Sequence, residues 1–174
     1  MGRHYFIALP MHDDRIAETV KAIPLTAHYK NVYGTEDYHL TLRFLGEVGE
    51  EELANWKVRI KMVAEEFVPF KIELSETVLF GVKERPRVFA FGPKVNEELN
   101  RIALPFQEEG RRGFVPHVTL AKKWRQGAGP LVELAPFSIP VAIEEIILYE
   151  IRPGETPRYV KRLRCPLGRV EETR

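Results

Sequence analysis

The pattern His-x-Thr-Leu occurs twice, as His39-Leu40-Thr41-Leu42 within "YHLTLRFLGE" (38–47) and as His117-Val118-Thr119-Leu120 within "FVPHVTLAK" (114–122). With 5 His, 8 Thr and 16 Leu in 174 residues, chance supplies only about 0.02 copies, so a pair calls for a cause. The first copy alternates strictly between polar and apolar residues, which is the period of a strand. Residues i and i+2 leave a strand from the same face, roughly 7 Å apart at Cα. Each copy therefore presents an imidazole and a hydroxyl on one face and anchors itself through Leu or Val on the other. Strict alternation places Leu40, Leu42 and Phe44 on the buried face and His39, Thr41 and Arg43 on the opposite one.

The rest of the chain reads as mixed strands and helices. "HYFIAL" (4–9) is a strand closed by Pro10, and 12–23 is a helix with an acidic start that ends before Pro24. Residues 25–37 read as a loop. After the first motif strand, "GEVGEEELANWKVRIKMVAEEF" is a helix with an acidic N-terminus and an apolar stripe at Leu53, Trp56, Ile60 and Val63. Strands are expected near 69–79 and 87–92, a short helix near 95–108, and the second motif strand at 117–123. "FSIPVA", "EEIILYEIR" and "RYVKRLRC" are tail strands. Several strands follow one another without helices between them, so the sheets are expected to be largely antiparallel.

The chain length suits one domain over residues 1–174. A net charge of +1 argues for no global attraction to nucleic acid or membrane. The lone Cys165 forms no internal disulfide and fits a reducing, cytoplasmic setting. Neither a signal peptide nor an apolar stretch near the roughly 20 residues of a membrane span is expected.

Metal binding suits the paired motifs poorly, because threonine is not a usual ligand and no Asp, Glu or Cys shares the motif face. No Gly-x-Ser-x-Gly or Walker loop occurs. In-line displacement at a phosphodiester fits. The attacking and leaving oxygens lie on opposite sides of phosphorus, one needing a general base and the other a general acid. Two imidazoles near their unperturbed pKa of about 6.5 supply one of each at neutral pH. Two hydroxyls donate to the non-bridging oxygens as charge builds there. A strained cyclic ester needs neither metal nor cofactor.

"YHLTLRFLGE" and "FVPHVTLAK" resemble the paired signatures of the two-histidine (2H) phosphoesterase superfamily, in its RNA 2′,3′-cyclic phosphodiesterase or 2′-5′ RNA ligase branch. "HYFIALP" and "RPRVFAFGP" (85–93) also look like that branch. The resemblance implies an α+β, bilobal fold with pseudo-two-fold symmetry. Two mainly antiparallel sheets would carry helices outside, with one motif in each lobe and the cleft between them. It carries catalysis to His39, Thr41, His117 and Thr119, with His117 as base for water and His39 as acid toward the departing 3′ oxygen. The sequence by itself leaves those two roles open. The substrate implied is RNA or a nucleotide ending in a 2′,3′-cyclic phosphate, opened to a 2′-phosphate. Ligation would be the reverse reaction, on the same histidines.

The chain departs from the branch at Lys122, where Arg is common, and at Ala90, where Trp is common. Lys122 and Arg43 are candidates for phosphate contact, although strict parity would put Lys123 on the histidine face. Phe114, with Phe89, Phe91 and Trp124, is a candidate for stacking the base. Arg111, Arg112, Lys123 and Arg125 complete a basic run around the second motif. His4, His12 and His28 read as surface or structural. Two rival readings share the motifs: a 2H phosphoesterase for another cyclic or 2′-5′-linked nucleotide, and a nucleotide- or RNA-binding module without turnover. Binding alone needs donors but no acid–base pair.

Overall fold

The computed structural model describes residues 2–108 and 113–168. Strand β1 (His4–Pro10) is apolar in both parities and is buried on both faces. Helix α1 (Asp14–Val20) follows, with Asp13 capping it by accepting from the Arg15 N–H at 2.9 Å. Residues 25–37, expected as a loop, contain one turn of helix α2 (Leu25–His28), strand β2 (Tyr29–Val32) and a 3-10 turn (Thr35–Asp37). Strand β3 (His39–Glu47) carries the first motif. It leads to α3 (Glu50–Glu66), which buries Ile60, Val63 and Ala64 and packs Leu53 and Trp56 against the core.

Strands β4 (Phe70–Val82) and β5 (Arg85–Pro93) form one long hairpin turning at Lys83–Glu84. Helix α4 (Glu97–Ala103) is capped by Asn96, and strand β6 (Val118–Trp124) carries the second motif. Three strands complete the described chain: β7 (Ile139–Ile143), β8 (Glu145–Ile151) and β9 (Tyr159–Pro166).

All strand pairings among the described residues are antiparallel. The strands join in the order β7-β4-β5-β6-β3-β1-β8-β9, with β2 also on β6. The two sheets expected are thus continuous, but only through one bridge, Leu40 to Val118. Four strands of the path lie on each side of that bridge, and each half places its motif strand innermost. This α+β arrangement brings residues 78 positions apart in sequence to adjacent strands.

Candidate active site

The register around the Leu40–Val118 bridge sets the geometry. In an antiparallel pair it places His39 across from Thr119 and Thr41 across from His117. The side chains alternate across the seam, so each imidazole faces the hydroxyl of the other motif.

Both motif strands then slip by one residue at the same place. Ala8 pairs with Thr41 and Ile7 with Arg43, leaving Leu42 as an extra residue in β3. Ala90 pairs with Thr119 and Phe89 with Ala121, leaving Leu120 extra in β6. A bulge of this kind turns two consecutive side chains to one side and inverts the parity beyond it. Leu120 and Ala121 are accordingly both fully buried, and Lys122 comes onto the histidine face. In β3 the same inversion turns Arg43 away and brings Phe44 onto the histidine face, where it is 60% exposed.

The result is a pocket of about 320 Å³ lined by Phe6, Tyr33, Asp37, His39, Thr41, Phe44, His117, Thr119, Lys122, Ile151 and Tyr159. Register orders it along the strands. Lys122 lies beyond the His39–Thr119 pair, and Phe44 beyond the Thr41–His117 pair. The pocket thus has one end where the Lys122 ammonium stands with Tyr33 and the Asp37 carboxylate, and another at the exposed ring of Phe44. A larger groove of about 530 Å³ between the β4–β5 hairpin and 130–134 contains no imidazole.

The two imidazoles are held alike. His39 Nδ1 donates to the Asp37 carbonyl at 2.8 Å, and His117 Nδ1 to the Val115 carbonyl at 2.8 Å. A carbonyl only accepts, so the neutral form of each ring carries its proton on Nδ1 and leaves the Nε2 lone pair free. Phe6 packs 4.7 Å from His39 and Phe80 4.7 Å from His117, centroid to centroid, fixing the ring planes. Among the described residues, no hydrogen bond engages the hydroxyl of Thr41 or Thr119.

Burial pushes His39 down to about 4, against the Asp37 hydrogen bond, with the positive charges of His117, Lys122 and His12 adding to the shift. Burial also lowers His117, against its Val115 hydrogen bond, and Lys122 adds to that shift. The Lys122 ammonium is itself lowered by burial and by the Arg158 and Lys123 charges. The sequence expectation of two imidazoles near 6.5 is therefore corrected: burial lowers both, His39 the further, and favours the neutral rings. A bound phosphate anion would restore their basicity.

Two expected substrate contacts are also corrected. Arg43 donates to the Phe106 carbonyl at 3.0 Å, lies 5.0 Å over the Trp56 ring and pairs with Glu108 at 4.0 Å, all on the helical side of the sheet. Phe114 lies in the segment ahead of β6, where it lines a separate groove with Gly92, Leu99 and Pro116 and packs on the main core. Phe89 and Phe91 are core residues, and Trp124 stacks on the buried His28 at 5.4 Å. Arg111 and Arg112 lie outside the described residues. The exposed aromatic that does reach the pocket, Phe44, is missed by strict alternation.

The family model described as "LigT like Phosphoesterase" matches residues 9–90. An RNA 2′,3′-cyclic phosphodiesterase of Geobacillus stearothermophilus is 33% identical over 172 residues, covering 90% of this chain. The chain spans only 54% of that relative's length. The RNA 2′,3′-cyclic phosphodiesterase of Bacillus subtilis (strain 168) is 31% identical over 170 residues, covering 90% of this chain and 92% of the relative. The structure of E. coli LigT complexed with 3′-AMP superposes with a TM-score of 0.73 over 97% of this chain and all of that one, at 22% identity, a likeness of fold. The fold, the matched model and the near end-to-end similarity to the B. subtilis protein agree: the chain belongs to the LigT-like phosphoesterase family of the two-histidine superfamily.

Proposed function

We propose that this protein hydrolyses 2′,3′-cyclic phosphate ends of RNA or nucleotides, in the cytoplasm and without a metal, through His39 and His117. The observation that carries the reading is the alternating square of two imidazoles and two unengaged hydroxyls in one pocket. Two free Nε2 atoms on adjacent strands suit an in-line displacement, with one taking a proton from water and the other giving one to the leaving oxygen. Thr41 and Thr119 donate to the non-bridging oxygens, and Lys122 balances their charge. We read residues 1–174 as a single domain of two lobes meeting at the Leu40–Val118 bridge. The relatives' names, RNA 2′,3′-cyclic phosphodiesterase, support the substrate class.

The polarity of the pocket supports an orientation. The base leaves C1′, beside C2′, and the 5′ carbon leaves C4′, beside C3′, so the two lie toward opposite ends of the C2′–C3′ edge. The Phe44 end suits the base, and the Lys122 end suits the 5′ side. The 3′ oxygen then lies toward His39, which protonates it, and water enters on the His117 side. The product is the 2′-phosphate. Ligation, a 5′-hydroxyl in place of water, would run through the same two groups.

Ring selectivity tests the substrate class. The protein should open 2′,3′-cyclic AMP and leave 3′,5′-cyclic AMP intact; the reverse preference would overturn the reading. The depressed imidazoles set the pH dependence. The working form carries one proton on the pair, and removing it abolishes the acid. In the free protein that loss occurs below pH 6.5, so the alkaline limb of kcat/KM should lie below 6.5. Bound phosphate raises both groups, so the alkaline limb of kcat should lie at higher pH. Coincident limbs above 6.5 would contradict this assignment.

A further inference from the structure

Outside the pocket, the hairpin between β8 and β9 brings one arginine against the wall of the site. Arg158 donates through Nη1 to the Tyr33 hydroxyl at 3.3 Å, and its guanidinium carbon stands 5.3 Å from the Tyr33 ring centroid. Tyr33 is itself fixed to the second motif strand, its N–H donating to the carbonyl of the bulged Leu120 at 2.9 Å. The hairpin is closed behind Arg158 by the Arg152 N–H, which donates to the Arg158 carbonyl at 2.7 Å. Tyr159, the next residue, lines the pocket and meets His39 edge-on at 5.2 Å. Arg158 forms no ion pair within 4.0 Å among the described residues, although the Asp37 carboxylate lies near enough to be felt.

This is an expensive way to hold a cation that only meets water. The guanidinium is held by two phenol hydroxyls, those of Tyr33 and Tyr159, and carries five N–H donors, so it keeps donors for a further acceptor. It stands at the Lys122 end, close enough for its charge to act on that ammonium. That end faces the 5′ side of the terminal ribose in the orientation proposed above. The next anionic group along an RNA strand in that direction is the phosphodiester joining the terminal nucleotide to its neighbour.

We infer that Arg158, steadied on Tyr33, forms a subsite for the phosphodiester preceding the terminal nucleotide, so that the protein is built for RNA ends rather than mononucleotides. The inference rests on the proposed substrate class and orientation. Arg158 meets the internucleotide phosphate only when a second nucleotide is present, and no bond changes there.

Titration calorimetry with three ligands tests it: adenosine 2′-monophosphate, the RNA dinucleotide ApA ending in a 2′-phosphate, and the same dinucleotide with an uncharged methylphosphonate link. The unmodified protein should bind the charged dinucleotide about tenfold or more tighter than the uncharged one, the scale of one charge-assisted hydrogen bond. Arg158→Gln should bring the two within about threefold, and Arg158→Lys should restore part of the difference, since it keeps charge but not the fork. Arg164→Gln, which removes a surface arginine paired with Glu145 at 3.0 and 3.1 Å, should leave the difference in place. Equal affinity for the two dinucleotides in the unmodified protein, or a difference that survives Arg158→Gln, would overturn the subsite. Turnover of 2′,3′-cyclic AMP in the same preparations reports on the proposed activity alone, so loss of the affinity difference with turnover intact counts against the subsite only.

Discussion

Replacing His39 or His117 should lower kcat for 2′,3′-cyclic AMP by at least about 100-fold each, the scale of losing a general acid or base. For His39, asparagine is the informative substitution alongside alanine. Its amide keeps a donor for the Asp37 carbonyl and removes the titrating Nε2. The aromatic packing of Phe6 and Tyr159 around that position is then less disturbed than by alanine. The double variant should lose far less than the product of the two single losses, because acid and base act on one transition state and neither serves alone. A folded single variant with near-normal turnover would remove the two-histidine mechanism.

Thr41→Val and Thr119→Val should each lower kcat by about 100-fold with a smaller effect on KM. Removing one donor from a developing oxyanion costs on that order, and the charge on the non-bridging oxygens peaks in the transition state. Valine keeps the shape of threonine and both positions are half-buried, so the fold should tolerate the change. Neither hydroxyl supports another described residue, which separates this from a structural loss. An increase in KM at constant kcat would instead make the threonines ground-state binders.

The part of the site legible in the sequence is the part set by parity. Period-two alternation and the repeated tetrapeptide are local properties, and they place His39 beside Thr41 and His117 beside Thr119 without knowledge of the partner strand. The bulges at Leu42 and Leu120 are not local. They appear only in the register against Ala8 and Ala90, so the faces of Arg43, Phe44, Lys122 and Lys123 come out inverted by strict alternation. The second bulge leaves one trace, two apolar residues in succession at Leu120-Ala121 before Lys122. The first leaves none, because Leu42-Arg43-Phe44 continues the alternation. Strand β2 is invisible for a similar reason: "YKNV" has little strand character and is held by the edge of β6 rather than by its own pattern. The depressed imidazoles follow from burial in the assembled pocket and have no signature in the chain.

Phosphorus NMR of 2′,3′-cyclic AMP incubated with EDTA-treated protein reads the need for a metal and the bond that breaks in one experiment. Two imidazoles fixed at the starts of neighbouring strands admit one in-line geometry, and the Phe44 and Lys122 ends select which oxygen leaves. Turnover should be undiminished and should give a single signal, that of adenosine 2′-monophosphate, as the cyclic ester resonance disappears. Activity lost on chelation and regained with a divalent metal, or a ring left unopened, would contradict metal-independent hydrolysis by His39 and His117. A 3′-monophosphate or a mixture would contradict the orientation that gives His39 the departing oxygen.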